Sequence, residues 1–214
     1  MADLRAAHRA WASYRGANPW VRAFLLGRLA NAPLGALDAD LRALRGRVLS
    51  LGAGYGLVER YVAEINPHVT VEGAELDAGR VRAAAATSAA SPRVRIRQAD
   101  VRDLPETEPF AAALAIDVLH HLPWEDQGPV VVALRERLGP NATLLVKDIA
   151  TAPRWKHAIN RAHDRVVAGP EPIHCRAPED MAAVLEGAGL EVTAVRRLSP
   201  ASPYPHYLVR AIAP

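Results

Sequence analysis

An apolar run, Val48-Leu49-Ser50-Leu51, stops at three glycines spaced two apart, Gly52, Gly54 and Gly56, and a helix-like pattern follows. Such a run reads as a buried parallel strand. Glycines directly after it let the backbone turn tightly and approach a ligand. The spacing excludes two common nucleotide loops. A dinucleotide fingerprint needs a third glycine at position 57, which is Leu57, and a phosphate-binding P-loop needs Gly-Lys-Ser/Thr, which the chain lacks.

Around this turn the pattern alternates. Residues 3–15 and 19–31 read as helices broken at Gly16-Ala17-Asn18-Pro19, and a third short helix is expected over 36–45. Strand 1 (47–51) is followed by a helix over 56–65. Strand 2 (69–74) precedes a helix from Asp77 to about Thr87. Strand 3 covers 93–98. Strand 4 (111–116) leads to a helix over 124–138, and Gly139-Pro140-Asn141 reads as a stop before strand 5 at 143–146. Helices over 153–168 and 178–188 and strands at 190–198 and 206–212 complete the pattern. Alternating β and α units predict right-handed crossovers and a doubly wound, mostly parallel α/β sheet. The last two strands are joined too closely for a crossover, so they are expected to form an antiparallel hairpin. The expected division is a helical cap over 1–45 and one ligand-binding domain over 46–214.

Composition narrows the function classes. Half of the 214 residues are hydrophobic, enough for a sizeable core. The net charge is +3, carried almost wholly by arginines interspersed with acids, so it reads as a compositional bias and not as a nucleic-acid tract. One cysteine, Cys175, excludes an internal disulfide and fits a reducing compartment. With no apolar run long enough to span a bilayer and no apolar core near Met1, the expected location is the cytoplasm.

Gly-x-Gly-x-Gly after a strand resembles motif I of the class I S-adenosylmethionine (SAM)-dependent methyltransferases, and the order and spacing of the segments over 48–150 are similar to that family. The resemblance implies a Rossmann-like sheet of seven strands and SAM as cofactor. Gly52, Ala53, Gly54, Tyr55 and Gly56 would then receive the methionine end, since amides opening a helix favour a carboxylate. Ala53 and Tyr55 stand where the family often has Cys and Thr, and the small size at 53 is kept. Glu75, with Leu76 beside it, ends strand 2 at the spacing of an acid that accepts both ribose hydroxyls. The alternative for Glu75 is a helix cap, for which Asp77 is better placed. Asp100 and Val101 match the adenine position, with an Asx turn as the plain alternative. Asp117 and Val118 would border the methionine part.

His120 and His121 then point toward the acceptor, and either suits proton removal near neutral pH. The alternative is that one packs the loop and the other caps the next helix. In similar methyltransferases an acid after strand 5, here Asp148, orients or replaces the histidine; a salt bridge to Lys147 is the plain alternative. Tyr14, Trp155, Asn160, His163 and Tyr204 are candidate acceptor contacts, with Trp11, Trp20 and His206 as further walls. Lys156, Asn160, His163 and Asp164 share one helix face, which is equally a solvated face. No ligand spacing supports a metal site. A nucleobase-amine acceptor goes with Asn/Asp-Pro-Pro-Tyr, and here that position reads Asp117-Val118-Leu119-His120. The expected acceptor is a small molecule, with O-methylation ahead of C- or N-methylation. The apolar helix at 20–29 offers a lipophilic acceptor, a membrane surface or a second copy of the chain as its partner. A non-methylating cyclisation or rearrangement on the same fold and an RNA methyltransferase are the competing readings.

Overall fold

A computed structural model describes residues 3–87, 91–104, 108–159, 172–198 and 202–214. Its strands form one seven-stranded sheet in the order β3-β2-β1-β4-β5-β7-β6. The chain divides into two compact units, Met1–Ala112 and Ala113–Pro214, and β4 crosses the boundary.

In the first unit, α1 (Leu4–Ala12) is capped by Asp3, whose carboxylate accepts from the Ala6 amide at 3.0 Å. Asn18 caps α2 (Pro19–Asn31), with proline at the first helical position, where its missing N–H costs nothing. The helix expected over 36–45 is a 3₁₀ turn, Leu34–Ala36, followed by α3 (Asp38–Ala43). Then come β1 (Gly46–Leu51), α4 (Leu57–Ile65), β2 (Val69–Glu75), α5 (Ala78–Ala85) and β3 (Val94–Gln98). β1 pairs with β2, and β2 with β3, in parallel register. Val48, Leu49 and Ser50 are all buried, as a strand covered on both faces requires. α2 departs from the one-sided apolar helix expected of it. Only Leu25 is buried along it, while Trp20, Phe24 and Leu26 are exposed. Trp20 and Leu26 are six positions apart, which puts them on different sides of a 3.6-residue helix.

The second unit follows β4 (Phe110–Ile116) with a 3₁₀ turn at Leu119–His121, then α6 (Trp124–Glu136) and β5 (Leu138–Ile149). A helix, α7, is described over 154–159. It is followed by α8 (Pro178–Gly187), β6 (Glu191–Arg197) and β7 (His206–Ile212). β7 runs antiparallel to both β5 and β6, the hairpin expected from the short connection. Strand 5 is longer than its pattern predicts. Gly139-Pro140-Asn141 lies inside β5, not before it, and α6 has already ended at Glu136. Asn141 adopts a left-handed conformation (φ 61°), which asparagine tolerates, and its amide donates to Ala213 O at 2.8 Å. The chain therefore stays in the sheet through residues that read as a turn. Among the described residues no helix is long and apolar enough to cross a membrane.

Candidate active site

In the first unit the glycine turn after β1 is held by its own bonds. The Ala53 amide donates to Ala74 O at 3.1 Å and the Gly56 amide to Ala53 O at 2.8 Å. Gly52, Gly54 and Gly56 all have φ between 57° and 79°, where a side chain would be strained. A Cβ on Gly54 would project into open space. Elsewhere the turn is tight: a Cβ on Gly73 of β2 would come within 2.5 Å of the Ala53 and Ile96 side chains. Gly73 is therefore a close-approach glycine that the pattern alone did not single out.

Glu75, at the end of β2, is buried and clamps this turn. Its Oε2 accepts from the Gly54 amide at 2.7 Å, and its Oε1 accepts from the Asp77 amide at 2.9 Å. Asp77 itself caps α5 by accepting from the Arg80 amide. Leu76 is exposed next to Glu75. Asp100 makes the Asx turn, accepting from the Arg102 amide at 2.9 Å, and also pairs with the Arg102 guanidinium at 2.6 Å. That guanidinium bond holds the Asp100 carboxyl below its ordinary range. Val101, beside it, is buried.

Tyr14 is fully buried, and its hydroxyl donates to Tyr55 O at 2.6 Å while accepting from Arg60 Nε at 2.9 Å. Trp11 is tied to α2 through the carbonyl of Arg22 at 3.1 Å. Trp20 is exposed. Glu59, on α4, is buried and accepts from Ser50 Oγ at 2.6 Å; burial pushes its carboxyl above the ordinary range.

In the second unit His120 and Asp148 form a buried pair. His120 Nδ1 bonds Asp148 Oδ1, and the His120 amide donates to Asp148 Oδ2 at 3.1 Å. The Ile149 amide adds a third bond, to Oδ1, at 2.8 Å. With its Nδ1 proton on a carboxylate, the imidazole presents Nε2 as the basic nitrogen. His121 is exposed, its ring centroid 4.1 Å from that of His120. Lys147 does not pair with Asp148. The two are successive on β5 and so face opposite sides of the sheet. Lys147, fully buried, instead bonds the carboxylate of Asp117, whose amide donates back to Lys147 O at 2.8 Å. Asp117 sits at φ 53°, and Val118 follows it as the residue before the 3₁₀ turn.

Sequence reasoning missed the residues that support this pair. The His174 amide donates to His120 O at 2.7 Å. Gln127, fully buried in α6, donates to Leu122 O and His174 O, and Arg176 donates to Gln127 Oε1. Tyr207 lies directly across the β5–β7 ladder from Asp148, fully buried, and its hydroxyl has no partner among the described residues. Burial and the Asp148 charge both push that hydroxyl above the ordinary tyrosine range.

Of the expected acceptor contacts, Trp155 is exposed and lies under Lys156, which anchors to Ser202 O at 2.6 Å. The Lys156 head thus donates to a carbonyl, and the residue is largely buried. Tyr204 is buried with Ile149 and Cys175 and meets the His206 ring edge-on at 5.8 Å. Asn160, His163 and Asp164 lie outside the described residues.

The family model described as "Methyltransferase domain" matches residues 22–195, well over half of the chain. The chain belongs to that family. It is a class I, Rossmann-like methyltransferase, and SAM is its cofactor. Solved structures agree in fold. The SAM-dependent methyltransferase SibL superposes with a TM-score of 0.72 at 23% identity, over 93% of this chain and 60% of its own. The mitomycin 7-O-methyltransferase MmcR gives 0.71 at 20%, over 95% and 60%. The [4+2]-cyclase SpnF gives 0.68 at 18%, over 84% and 80%. This methyltransferase thus spans 60% of the length of SibL and of MmcR. No curated protein sequence matches it. The turn fits the cofactor: Gly54 leaves open space, the Tyr55 amide has no acceptor among the described residues, and a carboxylate, Glu75, is fixed beside it.

Proposed function

We propose that this methyltransferase methylates a hydroxyl oxygen of a small, apolar acceptor in the cytoplasm, with His120 as the general base. The buried His120–Asp148 pair carries the reading. A carboxylate that accepts from both the His120 amide and Nδ1 fixes the ring orientation and leaves Nε2 to take a proton. It also stabilises the imidazolium that forms. A base so placed contributes about 10²–10⁴-fold. SAM, when bound, supplies an electrophilic methyl on its sulfonium. Toward it, Glu75 would accept from the ribose hydroxyls with Leu76 beside it, Asp100 and Val101 would meet the adenine, and Tyr55 would donate its amide to the carboxylate. Asp117, its charge balanced by Lys147, and Val118 would border the methionine part. Trp155 and Tyr204 are the described candidates for the acceptor walls, and Asn160 and His163 are further ones. The 1–45 segment would serve as a helical cap over the cofactor, and a second copy of the chain would be a partner.

The test is incubation of the purified chain with methyl-labelled SAM and a panel of phenols. Label should pass to a phenol with the wild type and fail to pass with His120→Gln, while both bind S-adenosylhomocysteine equally. Transfer undiminished in His120→Gln refutes the base. The likeness to SpnF supports the second reading, a cyclisation; an acceptor rearranged without SAM being consumed would establish it.

A further inference from the structure

Four consecutive amides line the glycine turn, and three are spent within the protein. Ala53 donates to Ala74 O, Gly54 to Glu75 Oε2 and Gly56 to Ala53 O. Among the described residues only the Tyr55 amide of this set meets no acceptor. Its direction depends on the peptides either side of it. Glu75 fixes the Gly54 side. On the other side the peptide joining Tyr55 to Gly56 is held at both ends, the Gly56 N–H by Ala53 O at 2.8 Å and the Tyr55 carbonyl by the Tyr14 hydroxyl at 2.6 Å.

That hydroxyl has little freedom. Arg60 Nε donates to it at 2.9 Å, so its own proton is left for Tyr55 O. The guanidinium lies over the Tyr14 ring at 5.0 Å, and its two remaining nitrogens donate to Thr87 O and Ala84 O, each at 2.9 Å. Both side chains are fully buried. Burial also pushes the Tyr14 hydroxyl above its ordinary range, so it remains a protonated donor at any working pH.

We propose that Tyr14 is a positioning residue for the cofactor: by holding the Tyr55 carbonyl it aims the Tyr55 amide at the carboxylate of the cofactor's methionine end. Tyr14 therefore acts through the turn and not as a wall against the acceptor. The proposal rests on the reading that the glycine turn receives that carboxylate, and one experiment separates the two.

Calorimetric titration of the full chain uses S-adenosylhomocysteine and adenosine as probes. Adenosine shares the ribose and adenine but lacks the carboxylate. Tyr14→Phe keeps the ring over Arg60 and removes only the hydroxyl. It should weaken S-adenosylhomocysteine about tenfold, the loss of one well-set hydrogen bond, and leave adenosine unchanged. Unchanged S-adenosylhomocysteine affinity, or an equal loss for both probes, overturns the role of Tyr14. A wild type that binds adenosine as tightly as S-adenosylhomocysteine overturns the carboxylate reading itself, and this proposal with it. A second measurement needs no variant. The Tyr55 amide resonance of the wild type should move on adding S-adenosylhomocysteine and stay in place with adenosine; a resonance that ignores both refutes the aim.

Discussion

Asp148→Asn removes a charge and keeps a shape, so it isolates what the carboxylate does for His120. Three N–H groups point at that carboxylate: His120 Nδ1, the His120 amide and the Ile149 amide. An amide side chain has one oxygen and one NH₂, and cannot serve all three. With its oxygen in the place of Oδ1 it keeps Nδ1 and Ile149, but sets NH₂ against the His120 amide. With the groups reversed it keeps the His120 amide, sets NH₂ against Ile149, and forces Nδ1 to accept. His120 then carries its proton on Nε2, the nitrogen that must be free to act as base. Either way a buried donor loses its acceptor, at a cost of about 1–3 kcal/mol in stability. Either way the imidazolium loses its buried counter-charge, a charge-assisted bond worth about 1.5–3 kcal/mol, or roughly 10- to 150-fold in rate. Adding the misprotonated fraction, turnover should fall by about 10²-fold or more. Long-range ¹⁵N correlation reads the tautomer directly, with His120 assigned by its absence in His120→Gln. The wild type should show Nδ1–H, the variant a raised share of Nε2–H, and S-adenosylhomocysteine should bind both alike. Turnover within twofold of wild type with an unchanged tautomer would refute the pairing as the source of catalysis.

Three further outcomes follow from the first unit. Glu75→Ala should weaken S-adenosylhomocysteine by about tenfold or more in calorimetry, since it removes a charge-assisted acceptor and frees the Gly54 amide. Gly73→Ala should destabilise by about 1–3 kcal/mol in chemical denaturation and also weaken the cofactor, because its Cβ must push Ala53 or Ile96 away from a 2.5 Å contact. Glu59→Gln tests pH dependence: the folded carboxyl titrates above its ordinary range, so the wild type loses stability as pH rises from about 4 toward that raised value, where the unfolded chain ionises first. The glutamine variant lacks this slope, and denaturation at pH 5 and pH 7.5 should show the wild type falling relative to it; parallel behaviour would mean that Glu59 is charged in the fold.

The sheet was legible because its signals are local. Apolar runs ended by glycine, an acid at the end of β2 and a cap at Asp77 each follow from a few adjacent residues. The full length of β5 is hidden in the sequence because Gly139-Pro140-Asn141 carries turn chemistry, yet the Asn141 amide bonds the carbonyl of Ala213, directly after β7, and that stretch stays in the strand. The supports of His120 were illegible for a related reason. Gln127, His174, Arg176 and Tyr207 gain their roles from register and packing, and nothing in their neighbours in sequence marks them. Lys147 is an instructive middle case. Strand alternation alone requires that it turn away from Asp148, but only the fold shows that Asp117 is what it meets.

The adjacent histidines show where local reasoning stops. Consecutive residues of a 3₁₀ turn point about 120° apart, so in Leu119–His121 at most one histidine can face a given partner. That much follows from sequence once the turn is recognised. Which one faces inward depends on the phase of the turn. Here the phase is set by the bond from the His120 amide to Asp148 and by the His174 amide on His120 O, one from β5 and one from the segment before α8. The buried position goes to His120 because its backbone and its ring satisfy the same carboxylate, and His121 is left exposed. If the backbone bond sets the choice, replacing His121 should leave the tautomer of His120 untouched, while disturbing Asp148 should change it.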